Sequence, residues 1–206
     1  MKVAISFLKS KNTIEETLNN IEKTDAEYIH VDVMDGNFVP NSTENYIEYL
    51  KKVKKPLDVH LMVEKPIDYI LKYKELKPEF ITIHSEINYN CEYLIDLIKS
   101  YNIKAGISIK PDTSIESINN LLKYVDNILI MSVEPGFGGQ KFMDKILYKI
   151  DILNKLRKEN NYNYVISIDG GINDTNINKV KNVDFVISGS YICMSDDYQT
   201  QINKLR

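Results

Sequence analysis

Tyr28-Ile-His-Val-Asp-Val-Met-Asp-Gly-Asn-Phe-Val-Pro40 is the stretch around which the chain is organised. β-Branched and polar residues alternate along its first half, the period-two signature of a strand. On that period His30, Asp32 and Met34 share one face, while Ile29, Val31 and Val33 share the other. Gly36 and Pro40 then break the strand into a loop, so its polar side chains gather at the carboxyl end. An imidazole and a carboxylate placed this way can both reach one metal ion.

The same design repeats along the chain. Short apolar segments predict strands over residues 3–8, 28–34, 56–62, 80–84, 104–109, 127–133, 164–169 and 183–188. Segments with helical spacing follow each strand, over 13–22, 44–52, 66–76, 91–100, 114–122, 144–159 and 173–179, with a last helix ending near residue 205. Alternation of this kind implies parallel strands joined by right-handed crossovers. Eight such units predict a single (β/α)₈ barrel domain over residues 1–206, near the lower limit of about 200 residues for that fold. An open doubly wound sheet would collect its functional residues at one switch point. Here polar residues mark most strand ends: Ser6, His30 with Asp32, His60, His84, Lys110, Asp169, and Gly189 with Ser190. A ring of that kind favours the barrel.

Composition narrows the function classes. A net charge of −3 offers no general attraction for nucleic acid or an anionic membrane. An anion site must therefore be local, built from backbone N–H groups or a single cation. The two cysteines, Cys91 and Cys193, are far apart in sequence and have no metal-like spacing, which predicts a reducing, cytoplasmic setting. The apolar part of the N-terminal segment is too short for a signal peptide and reads as a first strand. No apolar run approaches the roughly 20 residues that span a bilayer.

All three histidines fall at or near strand ends. A lone histidine there is ordinarily a satisfied polar residue. His30, Asp32, His60 and Asp169 converging on one mouth instead suit a divalent transition metal, Zn²⁺ or Fe²⁺, better than oxygen-preferring Mg²⁺; Mn²⁺ and Co²⁺ are also admitted. His84 is left as a structural or supporting group. Three glycine features border the same mouth: Glu134-Pro-Gly-Phe-Gly-Gly-Gln140, Asp169-Gly-Gly-Ile172 and Ser188-Gly-Ser-Tyr191. Glycines let backbone N–H groups approach an anion, helix N-termini favour one, and Asn173 is placed to cap the helix that follows. Any one such loop is ordinarily a turn; three on adjacent loops predict a phosphate site. Met34, Met62 and Met131 share the inward parity of their strands, which fits core filling or a soft apolar cap over a reacting centre. Together these residues predict a phosphorylated small molecule over a metal with two carboxylates. The matching chemistry is proton abstraction next to a carbonyl, with inversion through an enediolate.

Five ordered blocks carry a resemblance. They are Ile29-His-Val-Asp-Val-Met-Asp-Gly36 with Phe38-Val-Pro-Asn41, Leu57-Asp-Val-His-Leu-Met62, Met131-Ser-Val-Glu-Pro-Gly-Phe-Gly-Gly-Gln-Lys-Phe142, Asp169-Gly-Gly-Ile172 and Ser188-Gly-Ser190. With them the chain resembles the ribulose-phosphate 3-epimerase family over essentially its whole length. The resemblance implies a ribulose-phosphate-binding barrel that interconverts D-ribulose 5-phosphate and D-xylulose 5-phosphate in the pentose phosphate pathway. It implies a metal on His30, Asp32, His60 and Asp169, with Asp32 and Asp169 as the acid/base pair. It implies substrate contacts from Ser6, His60, Met34, Met62, Met131 and Asp169. Phosphate contacts would come from Gly136, Phe137, Gly138, Gly139, Gly170, Gly171, Gly189 and Ser190. It also implies a homo-oligomer, dimer or hexamer. The chain departs from the family pattern at Ile5, where Pro is usual, at Asn37, where His is common, and in a shortened segment after Asn41. Competing expectations are an epimerase of a hexulose 6-phosphate such as D-allulose 6-phosphate, and a non-catalytic sugar-phosphate-binding barrel. A decarboxylase of this superfamily is disfavoured, because no Lys accompanies Asp32 in the Asp-x-Lys-x-x-Asp pattern.

Overall fold

The computed structural model describes residues 1–206. Eight strands form: β1 (Lys2–Ser6), β2 (Tyr28–Met34), β3 (Leu57–Met62), β4 (Phe80–His84), β5 (Lys104–Ile109), β6 (Asn127–Met131), β7 (Val165–Asp169) and β8 (Phe185–Ser188). They pair in parallel in chain order, and β1 pairs with β8 to close the barrel. Every strand is buried on both faces, which is why most of them read as near-continuous apolar runs. Outward residues such as Ile29, Val31, Val59, Ile81 and Ile107 pack against the surrounding layer. Inward residues Ala4, Tyr28, Phe80, Leu129, Phe185 and Ile187 fill the barrel itself. Tyr28, Phe80 and Phe185 stack across its amino-terminal end, with the Tyr28 and Phe185 ring centroids 5.3 Å apart. The barrel interior is thus closed at its amino-terminal end and opens at the carboxyl-terminal mouth, where sites in this fold lie.

The helices are α1 (Ile14–Glu22), α2 (Ile47–Leu50), α3 (Pro66–Tyr73), α4 (Cys91–Ser100), α5 (Leu147–Asn160), α6 (Ser190–Cys193) and α7 (Tyr198–Lys204). Their starts follow local chemistry. Thr13 and Glu16 form a capping box on α1. Pro66 occupies the first turn of α3. The Asn90 and Asp197 side chains accept backbone N–H groups at α4 and α7. No helix is long and apolar enough to cross a membrane.

Four helical expectations need correction. The helix over 44–52 shrinks to the single turn of α2, because the chain before it is tied back to the end of β2. Thr43 N–H donates to the Met34 carbonyl at 3.1 Å, and Met34 N–H donates to the Thr43 hydroxyl at 3.0 Å. The segment 114–122 holds only a 3₁₀ turn at Ile115–Ile118. Ile115, Ile118 and Leu121 are buried, and their spacing of three suits a three-residue turn. After β7, Asn173 caps no helix: its side chain accepts the Thr175 N–H at 2.9 Å in a local turn, and a 3₁₀ turn at Ile177–Val180 follows. The last helix is two, α6 and α7. Strands β1 and β6 also stop two residues early, at Ser6 and Met131, where the chain turns over the mouth.

Candidate active site

The centre of the mouth is built by β2, β3 and β7. Parallel pairing of β2 with β3 sets Asp32 opposite His60 and His30 opposite Asp58. Asp169 ends β7, three strands from β2 around the closed barrel. His30, Asp32, His60 and Asp169 each offer one donor atom, and these four atoms lie within 4.8 Å of one another. His30 Nε2 is 3.4 Å and His60 Nδ1 3.6 Å from the same Asp32 oxygen, Oδ1. Both nitrogens are buried and have no hydrogen-bond partner. An unsatisfied buried group costs about 1–3 kcal/mol, and two aimed at one point could hold a cation between them. Two imidazoles and two carboxylates fit a divalent transition metal.

The protonation of each imidazole is set from behind. His30 Nδ1 lies 2.7 Å from Asp58 Oδ2, so a proton is fixed on Nδ1 and Nε2 is turned to the centre. A longer chain serves His60. Glu86 Oε1 accepts the Lys110 N–H at 2.8 Å, and Glu86 Oε2 lies 2.9 Å from His84 Nδ1. His84 Nε2 then faces His60 Nε2 at 2.9 Å. A carboxylate at one end takes the His84 Nδ1–H. His84 Nε2 therefore accepts from His60 Nε2–H, and His60 Nδ1 carries the free lone pair.

The titration of His84, Glu86 and His60 agrees with that assignment. Burial drives the His84 imidazole down to about 4 against the opposing pull of Glu86. Burial alone would raise Glu86, but the His84 hydrogen bond, with Lys110 and Thr113, holds it at about 2. Burial likewise keeps His60 low. For His30, burial is overridden by the Asp32 and Asp58 charges, which push it well up; its Nε2 holds a proton beside Asp32 until a cation takes that place, and only Nδ1–H is fixed by Asp58. The two carboxylates of the centre diverge. Burial raises Asp169 to about 7, with Asp32 and Asp58 adding to the rise and His30 opposing it. Burial works on Asp32 in the same direction, but the adjacent His30 and His60 rings, His30 foremost, hold it below the usual carboxylate range. Two carboxylates pushed apart by their surroundings are suited to opposite roles in proton transfer.

Above this centre lies a pocket bordered by Ser6, Asp32, Met34, Met62, Met131 and Asp169, and by Gly136, Phe137, Gly138, Gly139, Gly170, Gly171, Gly189 and Ser190. The structure therefore brings the glycine loops, the methionines, Ser6 and both aspartates to one cavity. His60 does not border it; it is fully buried beside Asp32. Ser6 Oγ donates to Asp32 Oδ2 at 2.7 Å. Met34 and Met62 pack with Val39, while Met131 joins the barrel interior. The loops hold one another closely. Gly171 has φ +65°, and a Cβ there would meet Phe142 N at 2.6 Å and Gln140 O at 2.7 Å, so only glycine lets the two loops touch. Ser132 Oγ lies 2.7 Å from both the Asp169 and the Gly170 carbonyl oxygens, which share its one O–H. Gly138, Gly139, Gly171 and Gly189 give their N–H groups to no backbone carbonyl. Helix α6 after Gly189 is only one turn, so anion binding here rests on those N–H groups and not on a helix dipole.

Asp58 and Glu86 were missed in the sequence, and both had a readable signal. Each histidine has a carboxylate two residues away on its own strand or just past its end, in His30-Val-Asp32, Asp58-Val-His60 and His84-Ser-Glu86. Period two places each pair on one face.

The ribulose-phosphate 3 epimerase family profile matches residues 2–193. A ribulose-phosphate 3-epimerase from Helicobacter pylori strain 26695 is 42% identical over 212 aligned positions, covering 100% of this chain and 97% of that protein. One from Aquifex aeolicus is also 42% identical, over 88% of this chain and 84% of its own length. Among solved structures, the 3-hexulose-6-phosphate synthase of Salmonella typhimurium aligns over 100% of this chain and 96% of its own, with a TM-score of 0.69 and 16% identity, a likeness of fold. With the barrel, the buried His/Asp centre and the match along nearly all of its length, the chain belongs to the ribulose-phosphate 3-epimerase family.

Proposed function

We propose that this enzyme interconverts D-ribulose 5-phosphate and D-xylulose 5-phosphate by proton transfer at C3 between Asp32 and Asp169, with a divalent transition metal at the centre. The observation that carries the reading is the pair of orphaned nitrogens, His30 Nε2 and His60 Nδ1, converging on the Asp32 carboxylate with Asp169 facing them. A cation held by His30, Asp32, His60 and Asp169 would act as a Lewis acid that acidifies the C3–H and stabilises the enediolate.

The chain's own groups account for the rest. Asp32 and Asp169 come from β2 and β7, three strands apart around the closed barrel, so they approach a carbon between them from different sides. One carboxylate takes the C3 proton and the other, protonated, returns one to the far face, which inverts the centre. The divergent titration of the pair supplies one carboxylate ready to accept and one able to donate. Ser6 Oγ orients Asp32. Met34, Met62 and Met131 cover the reacting carbons with apolar surface and keep water from competing for the proton. The N–H groups of Gly138, Gly139, Gly171 and Gly189 receive the phosphate and fix the sugar's far end.

Metal analysis of the purified protein with a turnover assay on ribulose 5-phosphate tests the reading. Stoichiometric transition metal and turnover that chelation abolishes are expected. A strong preference for a hexulose 6-phosphate, or full activity in stripped protein, would overturn it.

A further inference from the structure

The glycine loops supply N–H donors, but a phosphate dianion entering this pocket meets Asp32, Asp169 and Glu134 on its walls. The protein as a whole carries a charge of −3 and provides no general attraction. Among all residues bordering the pocket, one Lys or Arg is present: Lys9, on the loop after β1. Its side chain runs along the β6 loop. A Cβ at Gly138 would lie 3.1 Å from Lys9 Cβ, and a Cβ at Gly139 would lie 2.7 Å from Lys9 Nζ. Side chains at those two glycines would therefore push Lys9 away. The nearby Lys11 is ion-paired with Asp196. Lys9 is in no ion pair, not even with Glu134 in the same pocket wall.

We propose that Lys9 is the counter-charge for the substrate's phosphate, its ammonium completing the cradle of N–H groups on the β6, β7 and β8 loops; the assignment rests on the sugar-phosphate reading above. It makes Lys9 a contributor, beside the glycine N–H groups, to the preference for phosphorylated over unphosphorylated ketoses. The glycines fix where a phosphate sits. A point charge at the loop edge adds attraction in proportion to the ligand's charge. Gly138 and Gly139 then have a second purpose besides exposing N–H groups, which is to leave room for the lysine.

The test titrates inorganic phosphate into metal-loaded wild type, Lys9→Met, Lys9→Arg and Lys11→Met, with KM and kcat for ribulose 5-phosphate measured in parallel. Lys9 is exposed, so its substitution leaves the fold intact, and thermal melting checks this. Lys9→Met is expected to weaken phosphate binding and raise KM by roughly ten-fold, the scale of one charge-assisted hydrogen bond, with kcat within about two-fold. Lys9→Arg should recover most of the loss, and Lys11→Met should match wild type. Phosphate affinity in Lys9→Met within about two-fold of wild type, or an equal loss in Lys11→Met, would overturn the assignment. Lys9-dependent phosphate binding without turnover of ribulose 5-phosphate would instead overturn the epimerase reading and leave the anion site standing.

Discussion

Asp58 Oδ2 lies 2.7 Å from His30 Nδ1, on the neighbouring strand and in direct register with it. Both groups are buried, so the contact is shielded from solvent and fixes the ring's tautomer and direction together. Asp58→Asn keeps the shape but leaves the tautomer undefined. Metal affinity should fall by about 10–100-fold, read by competition with a chromophoric chelator. Unchanged affinity would contradict this role for Asp58.

Asp32 and Asp169 face each other across the centre, and each has a distinct electrostatic setting. Asp32→Asn and Asp169→Asn should each lower kcat by at least ~10²–10⁴-fold, the range for a positioned acid or base. Solvent-deuterium incorporation at C3 would separate the two. A variant that still exchanges the C3 proton of one epimer retains the carboxylate that serves that face.

Glu86 links the acid stability of the fold to the His60 tautomer. Its carboxyl is held at about 2, against an ordinary 4.5. A depressed carboxylate contributes stability that is fully present above pH 4.5 and is lost as the pH falls through 2. Glu86→Gln should therefore be less stable than wild type above pH 4.5, by on the order of 2 kcal/mol. That gap should narrow steadily as the pH falls towards 2 in urea-unfolding curves. A constant gap would mean that the effect is packing and not charge.

On the proposed metal reading, chelation should leave a folded but less stable barrel, because the core on both sides of the sheet is independent of the centre. Adding back a divalent cation at 100-fold excess over its dissociation constant should stabilise the protein by about 2.7 kcal/mol. His60→Ala should abolish most of that shift in a melting experiment. An equal shift in the variant would place the cation elsewhere.

Gly171 combines a left-handed backbone with direct contact to the β6 loop at Phe142 N and Gln140 O. Gly171→Ala should cost about 1–3 kcal/mol of stability and weaken phosphate binding, because the displaced loop carries Gly138 and Gly139. Phosphate affinity at the wild-type level would show that the loops adjust independently.

Much of this protein was legible along the chain because barrels are written in repeats. Alternation in β2 separates His30 and Asp32 from Val31 and Val33, and that parity survives in the structure, where the first pair faces the mouth. The glycine runs after β6, β7 and β8 were readable for a similar reason: chain order in a closed parallel barrel makes consecutive loops neighbours. Helix lengths were less so. Apolar spacing over 114–122 and 173–179 is shared by helices and by 3₁₀ turns, and packing rather than propensity chose between them.

The sequence by itself determined the barrel, the four donors and the glycine loops, since each depends on local periodicity and chain order. Only the tertiary structure decided what stands behind and beside them. Strand register placed Asp58 on His30 and His84 on His60, and so decided which nitrogen of each ring is free. Loop packing laid Lys9 along Gly138 and Gly139 and left it as the pocket's single Lys or Arg. These contacts join residues 24 to 130 positions apart in the chain. No local pattern encodes them, because their geometry exists only once the barrel has closed.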